Sequence, residues 1–89
     1  MRLDIFLKLS RLIHRRSLAQ EFCDADLVSV NGVIAKSSKT VSLGDEISIT
    51  KPGRIETFRI IELPKSKQVS RSSAAELYQL IEQNEKSDI

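Results

Sequence analysis

The chain has no tryptophan, and Phe6, Phe22, Phe58 and Tyr78 are its only aromatic residues. The three phenylalanines read as core, so a platform for stacking successive bases is not expected. The single cysteine, Cys23, cannot close an intrachain disulfide, which fits a reducing, cytosolic compartment; on an apolar stripe it reads as a small buried hydrophobe. No apolar run is long enough to cross a bilayer. Arg2, Asp4 and Lys8 interrupt the N-terminal apolar residues, so the opening is not a secretory signal and no membrane partner is expected. At 89 residues there is room for one domain, and none for a catalytic domain beside a binding face.

Catalytic signatures are missing as well. Asp4, His14, Cys23 and Asp45 form no triad and no metal-ligand spacing, so the reading assigns no catalytic residue, no metal and no cofactor. Asp4 is expected to orient a neighbouring arginine or to cap the first helix.

What the chain does have is clustered positive charge. The total of 14 basic against 12 acidic side chains is nearly balanced. Its distribution is not. Arg2, Lys8, Arg11, Arg15 and Arg16 face Asp4 alone within the first sixteen residues. Most acids lie later: Glu21, Asp24 and Asp26, then Glu76, Glu82, Glu85 and Asp88. Such clustering raises the potential that a phosphate backbone feels, and it points to RNA. Arg15 and Arg16 open a helix, where the macrodipole slightly disfavours cations, so local stability does not account for them.

The apolar pattern is helical first. Leu3, Phe6 and Leu7 share a face of a helix over about 2–10, and Leu18, Ala19, Phe22 and Cys23 form the stripe of a second helix starting near Arg15. Residues 28–30 then alternate as a strand. Asn31-Gly32 supplies the positive φ angles of a two-residue hairpin turn, and residues 33–35 begin the return. Lys36 and Lys39 lie in a polar loop leading through Val41 and Leu43 to a turn at Gly44-Asp45, where a second strand ends. Ile47 and Ile49 start another strand, Pro52-Gly53 turns the chain, and residues 55–63 complete the sheet. Helix period followed by strand period is an α+β signature: two N-terminal helices on a small, mainly antiparallel twisted sheet. Residues 64–72, with Lys65, Lys67 and Arg71, read as a polar linker. Ser73 with Glu76 forms a capping box, predicting a short C-terminal helix to about residue 84, with Ala74, Leu77, Tyr78 and Ile81 on one face.

Arg2-Leu3-Asp4, Arg15-Arg16, Val28-Ser29-Val30-Asn31-Gly32 and Gly44-Asp45-Glu46-Ile47 stand in the order and spacing of the alpha-L RNA-binding domain, named for the fourth protein of the small ribosomal subunit. That resemblance covers about residues 1–63, leaving 64–89 as linker and C-terminal helix. Residues 1–13 and Ala74-Ala75-Glu76-Leu77-Tyr78 further resemble the stand-alone bacterial members of ribosome-associated quality control, the RqcP group. More distant is the small heat-shock protein that binds stalled large subunits.

The resemblance implies binding to large-subunit ribosomal RNA and peptidyl-tRNA on an obstructed large subunit. There the protein would help a subunit-bound tailing factor extend the nascent chain, and off the ribosome it would be a monomer. It places Arg2 and Arg16 on an exposed rim where the helices meet. Arg15, Arg11 and Lys8 stand beside them, and Lys36 and Lys39 extend the face. Asn31 and Gly32 matter as geometry. Many relatives carry glycine where this chain has Asp26, a residue that tolerates left-handed backbone. The next position, often basic in relatives, is Leu27, and His14 stands where lysine is common. Two other classes stay open: a DNA-binding or other RNA-binding regulator, and an RNA-modifying enzyme such as those fronted by related domains.

Overall fold

A computed structural model of the chain describes residues 1–66 and 68–85, so Lys67 and Asp88 lie outside the described residues. Helix α1 (Leu3–Leu9) buries Leu3, Phe6 and Leu7 completely, as their spacing requires. No side chain caps its start. Instead the loop that follows the first hairpin supplies carbonyls: Leu3 N donates to Lys39 O at 2.7 Å and Asp4 N to Ser37 O at 3.1 Å.

Helix α2 (Arg16–Asp24) buries Ala19 and Cys23, while Leu18 and Phe22 pack partly against the same core. It stops at Asp26, whose φ is 61°. Asp26 N donates to Cys23 O and Leu27 N to Phe22 O, the two bonds of a Schellman stop. The aspartate itself takes the left-handed conformation that this stop requires.

The sheet is wholly antiparallel, in the order β2-β1-β3-β4-β5, formed by β1 (Val28–Val30), β2 (Val33–Ile34), β3 (Glu46–Lys51), β4 (Arg54–Ile60) and β5 (Tyr78–Glu85). Val28, Val30, Ile47, Ile49, Phe58 and Ile60 lie on its covered face and share one core with both helices. Ser29, Ser48 and Thr57 take the alternate positions, with Ser48 Oγ and Thr57 Oγ1 2.9 Å apart. Asn31 (φ 51°) and Gly32 (φ 83°) make the expected hairpin turn. Asn31 also locks that turn to the next one, since its Oδ1 accepts from Glu46 N and its Nδ2 donates to Asp45 Oδ1.

Three sequence expectations need correction. No strand ends at Gly44-Asp45; residues 35–45 cross as an irregular loop, touching the N-terminus through one bridge between Arg2 and Thr40. The backbone groups of this loop go instead to the start of α1, to Met1 O, which accepts from Val41 N, and, at Gly44 and Asp45, to the end of β4 at Ile60. Strand β4 ends at Ile60 rather than 63.

The largest correction concerns the C-terminal segment. A short helix is present, α3 (Arg71–Ala74), but Ser70 is its cap, accepting from Ser73 N, and it lasts about one turn. From Tyr78 the chain is strand. A helix of eleven residues is marginal in water, and the open edge of β4 offers a full ladder to whatever lies beside it. Pairing runs from Ile60–Tyr78 to Arg54–Glu85, with an irregularity between Thr57 and Phe58. Leu77 enters the core, and the Tyr78 ring meets Phe58 edge-on at 5.3 Å.

The left-handed stop gives a direct test. Asp26→Gly should leave stability unchanged or slightly raised, whereas Asp26→Val should lower it by about 1–2 kcal/mol in urea unfolding.

Candidate nucleic-acid interface

Asp4 sits in the first turn of α1 and is fully buried, yet its carboxylate is not isolated. Arg2 approaches side-on, with Nε 3.2 Å from Oδ1 and Nη2 3.3 Å from Oδ2. From α2, Arg16 Nε donates to Oδ2 at 3.2 Å and Gln20 Nε2 donates to the same oxygen at 2.9 Å. Ile5 N donates to Oδ1 at 2.8 Å. Burial favours the neutral acid, but the bonds from Gln20, Arg2 and Arg16 outweigh it and hold the pKa below its ordinary 3.8. The expected role for Asp4, orienting an arginine, is therefore what the geometry shows, and it orients two.

The arginines are not consumed by this contact. Their side chains remain 44% and 47% exposed, so each presents one edge to Asp4 and the rest of its fork to solvent. Two planar cations are thus fixed side by side at the junction of the helices. Ile5, Lys8 and Leu9 line a shallow groove with Arg16, which joins Lys8 to the pair. Lys8, Arg11 and His14 line the next groove along with Gln68 and Val69.

Arg11 takes a left-handed φ of 62°, and its Nη2 donates to Val69 O at 3.2 Å, tying the helix connection to the segment before α3. Arg15 is exposed at the N-cap position of α2. Lys36 and Lys39 are exposed on the loop stitched to the start of α1. The structure therefore joins Arg2, Arg16, Lys8 and Arg11 along one rim and holds the Lys36–Lys39 loop beside Arg2. Arg15, Lys36 and Lys39 make no side-chain hydrogen bond or ion pair among the described residues.

The S4 domain model matches residues 1–47, a span that contains α1, α2, the first hairpin and all seven candidate cations. The chain is 40% identical over 83 residues to the RQC P-site tRNA stabilizing factor of Bacillus subtilis (strain 168), covering 93% of this chain and 94% of that protein. The chain belongs to the S4 domain family, among the RQC P-site tRNA stabilizing factors. A relative of the same name from Helicobacter pylori (strain ATCC 700392 / 26695) is 42% identical over 71 residues, covering 80% of this chain and 84% of its own. Among solved structures, trimeric Heat Shock Protein 15 of Vibrio cholerae superposes with a TM-score of 0.81 at 30% identity, over 91% of this chain and 81% of that one.

Within this family member, Gln20 is the site residue that sequence reasoning missed. Its signal was available: it stands one helical turn after Arg16, on the same face of α2. Cys23 keeps the bland role. Burial, then the charges of Asp4 and Asp24, push its thiol up to about 11, so it stays protonated and inert at neutral pH.

Because folding lowers the Asp4 pKa, its contribution to stability is fully present above 3.8 and is lost as pH falls through the lowered folded value. Asp4→Asn should reduce Tm at neutral pH and flatten the acid limb of a Tm-against-pH curve taken down to about pH 2. Arg2→Ala/Arg16→Ala should cost about 3–5 kcal/mol in chemical unfolding, since it strands a buried carboxylate without its cations.

Proposed function

We propose that this chain is an RNA-binding factor of ribosome-associated quality control, acting in the cytoplasm. It binds large-subunit ribosomal RNA and the P-site tRNA on subunits obstructed by peptidyl-tRNA. There it steadies the tRNA while a tailing factor on the same subunit extends the nascent chain. It works as a binding module without catalysing a reaction, and it is a monomer off the ribosome. Residues 1–63 carry the binding face, formed by Arg2, Lys8, Arg11, Arg15, Arg16, Lys36 and Lys39.

One observation carries this reading: the buried Asp4 carboxylate fixes two arginine forks at a helix junction and leaves their outer edges open. A held guanidinium can grip two phosphate oxygens with little further loss of side-chain freedom. A-form RNA offers side chains mainly backbone and shape, which suits a face made of cations rather than hydrogen-bonding base readers. The family's name supplies the P-site tRNA as the partner. A winged-helix DNA reader finds less support, because α2 runs directly into β1 with no third helix before the hairpin.

The test must separate binding from folding. Arg15→Ala/Lys36→Ala/Lys39→Ala leaves Asp4 and its partners intact and should fold normally. In sucrose gradients of lysate, tagged wild-type protein should travel with the large subunit and the triple variant should stay at the top. Wild type at the top, under conditions that preserve stalled complexes, removes the ribosomal reading. On purified RNA, Arg16→Ala should reduce the slope of log K against log salt by about one phosphate contact. An unchanged slope takes Arg16 off the contact surface.

A further inference from the structure

The edge of the sheet next to this face carries a surface with no role so far. Strand β2 contributes Val33 and Ile34, which are 69% and 60% exposed although neither has a polar atom in its side chain. They line an open groove of about 530 Å³ together with Ala35, Lys36 and Lys39. Among the described residues no carboxylate lines it.

Three observations limit what can occupy the groove. Strand β2 is two residues long, too short to template the addition of a strand from a peptide or a second copy. The two lysines make the groove positive, which favours an anionic occupant. Finally, the loop that carries the two lysines is bonded to the residues that carry the arginine rim. Lys39 O accepts from Leu3 N, Ser37 O accepts from Asp4 N, and Thr40 bridges Arg2. The lysine side of the groove is thus held by backbone bonds beside the network that fixes Arg2 and Arg16.

An apolar pad flanked by cations matches an unpaired nucleotide better than a paired one. In a stem the bases are stacked and inaccessible, and the pad would stay wet. A base that has left the stack has a broad apolar face to lay on Val33 and Ile34, while the phosphates on either side reach the lysines. We propose that this groove takes an unpaired nucleotide of the bound RNA, its base against Val33 and Ile34 and its flanking phosphates against Lys36 and Lys39. The inference rests on the RNA-binding reading above and adds a specificity to it. The arginine rim holds backbone, and the β2 groove selects RNA with a base out of the helix. Val33 and Ile34 have no side-chain hydrogen-bonding group, so their contact selects for the unpaired state, while Asn31, already bonded to Asp45 and Glu46, and Ser38 are the polar side chains that also line the groove.

The experiment uses the full chain and two RNA hairpins identical except that one carries a single bulged 2-aminopurine nucleotide. Wild type should bind the bulged hairpin about fivefold more tightly than the paired one and change the fluorescence of the bulged base. Val33→Ser/Ile34→Ser alters only exposed side chains. It should unfold like wild type, bind the paired hairpin as before, and lose both the preference and the fluorescence change. Lys36→Ala/Lys39→Ala should weaken the bulged hairpin more than the paired one. The inference is overturned if wild type shows no preference, or if the serine variant keeps the preference or weakens both hairpins equally. It is also overturned if the serine variant instead changes the sedimentation coefficient of the free protein, since the pad would then serve a second copy. Failure of wild type to bind either hairpin at low salt removes the RNA-binding reading itself, a result distinct from binding both without preference.

Discussion

The structure turns on one buried negative charge. An uncompensated carboxylate in an apolar core costs several kcal/mol, so Asp4 is tolerable only if donors surround it. Those donors come from both sides of the helix pair: Arg2 from the residue before α1, Arg16 and Gln20 from α2. Apolar packing brings the helices together, but apolar contacts are not directional. The carboxylate adds the missing direction, fixing the position of α2 along α1 by hydrogen-bond geometry. The same bonds hold the arginines still. Structural order and the candidate binding face thus share the same atoms.

A second sharing occurs at the start of α1. Its first two amide groups find their acceptors on the 36–41 loop, and the third, Ile5 N, finds the Asp4 carboxylate. The helix that carries Asp4 and the loop that carries two lysines therefore stabilise each other. If the loop moves, α1 loses its cap; if α1 frays, the lysines lose their position. This mutual dependence explains why a stretch with so little regular structure is nonetheless tightly placed, with Val41 almost fully buried at its end.

Much of this was legible in the chain, for physical reasons that differ by region. The helices showed themselves through Leu3, Phe6 and Leu7 and through Ala19 and Cys23, because each face has a single apolar side and a single period. Asn31-Gly32 announced a hairpin since few other pairs accept two positive φ angles. The lone acid among five cations pointed to Asp4 as an organiser of arginines, although its burial and its bond from Gln20 were not visible in spacing alone. The segment after residue 73 was misread because its local signals are helical: a serine with a glutamate three residues on, and apolar residues at helical intervals. What decided it was the unpaired edge of β4, a partner 18 to 31 residues away in sequence from Ile60–Tyr78 to Arg54–Glu85, which no local window contains. The 41–45 segment went wrong in the opposite sense. Its alternation is strand-like, but its backbone groups are spent elsewhere: Val41 N on Met1 O, Ser42 N on the Asp45 carboxylate, Asp45 N on Ser42 O, and Gly44 N and Asp45 O on Ile60.

The position of β5 has a consequence for how the molecule is made. Pairing within the first four strands involves segments that leave the synthesising ribosome before β5 does. The outer edge of β4 has to wait for residues 78–85, and until they arrive Phe58 lacks the Tyr78 ring and the core lacks Leu77. A chain released from the ribosome before β5 is complete would display an open strand edge beside uncovered apolar side chains, the kind of surface that recruits other strands. For this protein, interrupted synthesis leaves the sheet without its last strand and its exposed edge ready to aggregate.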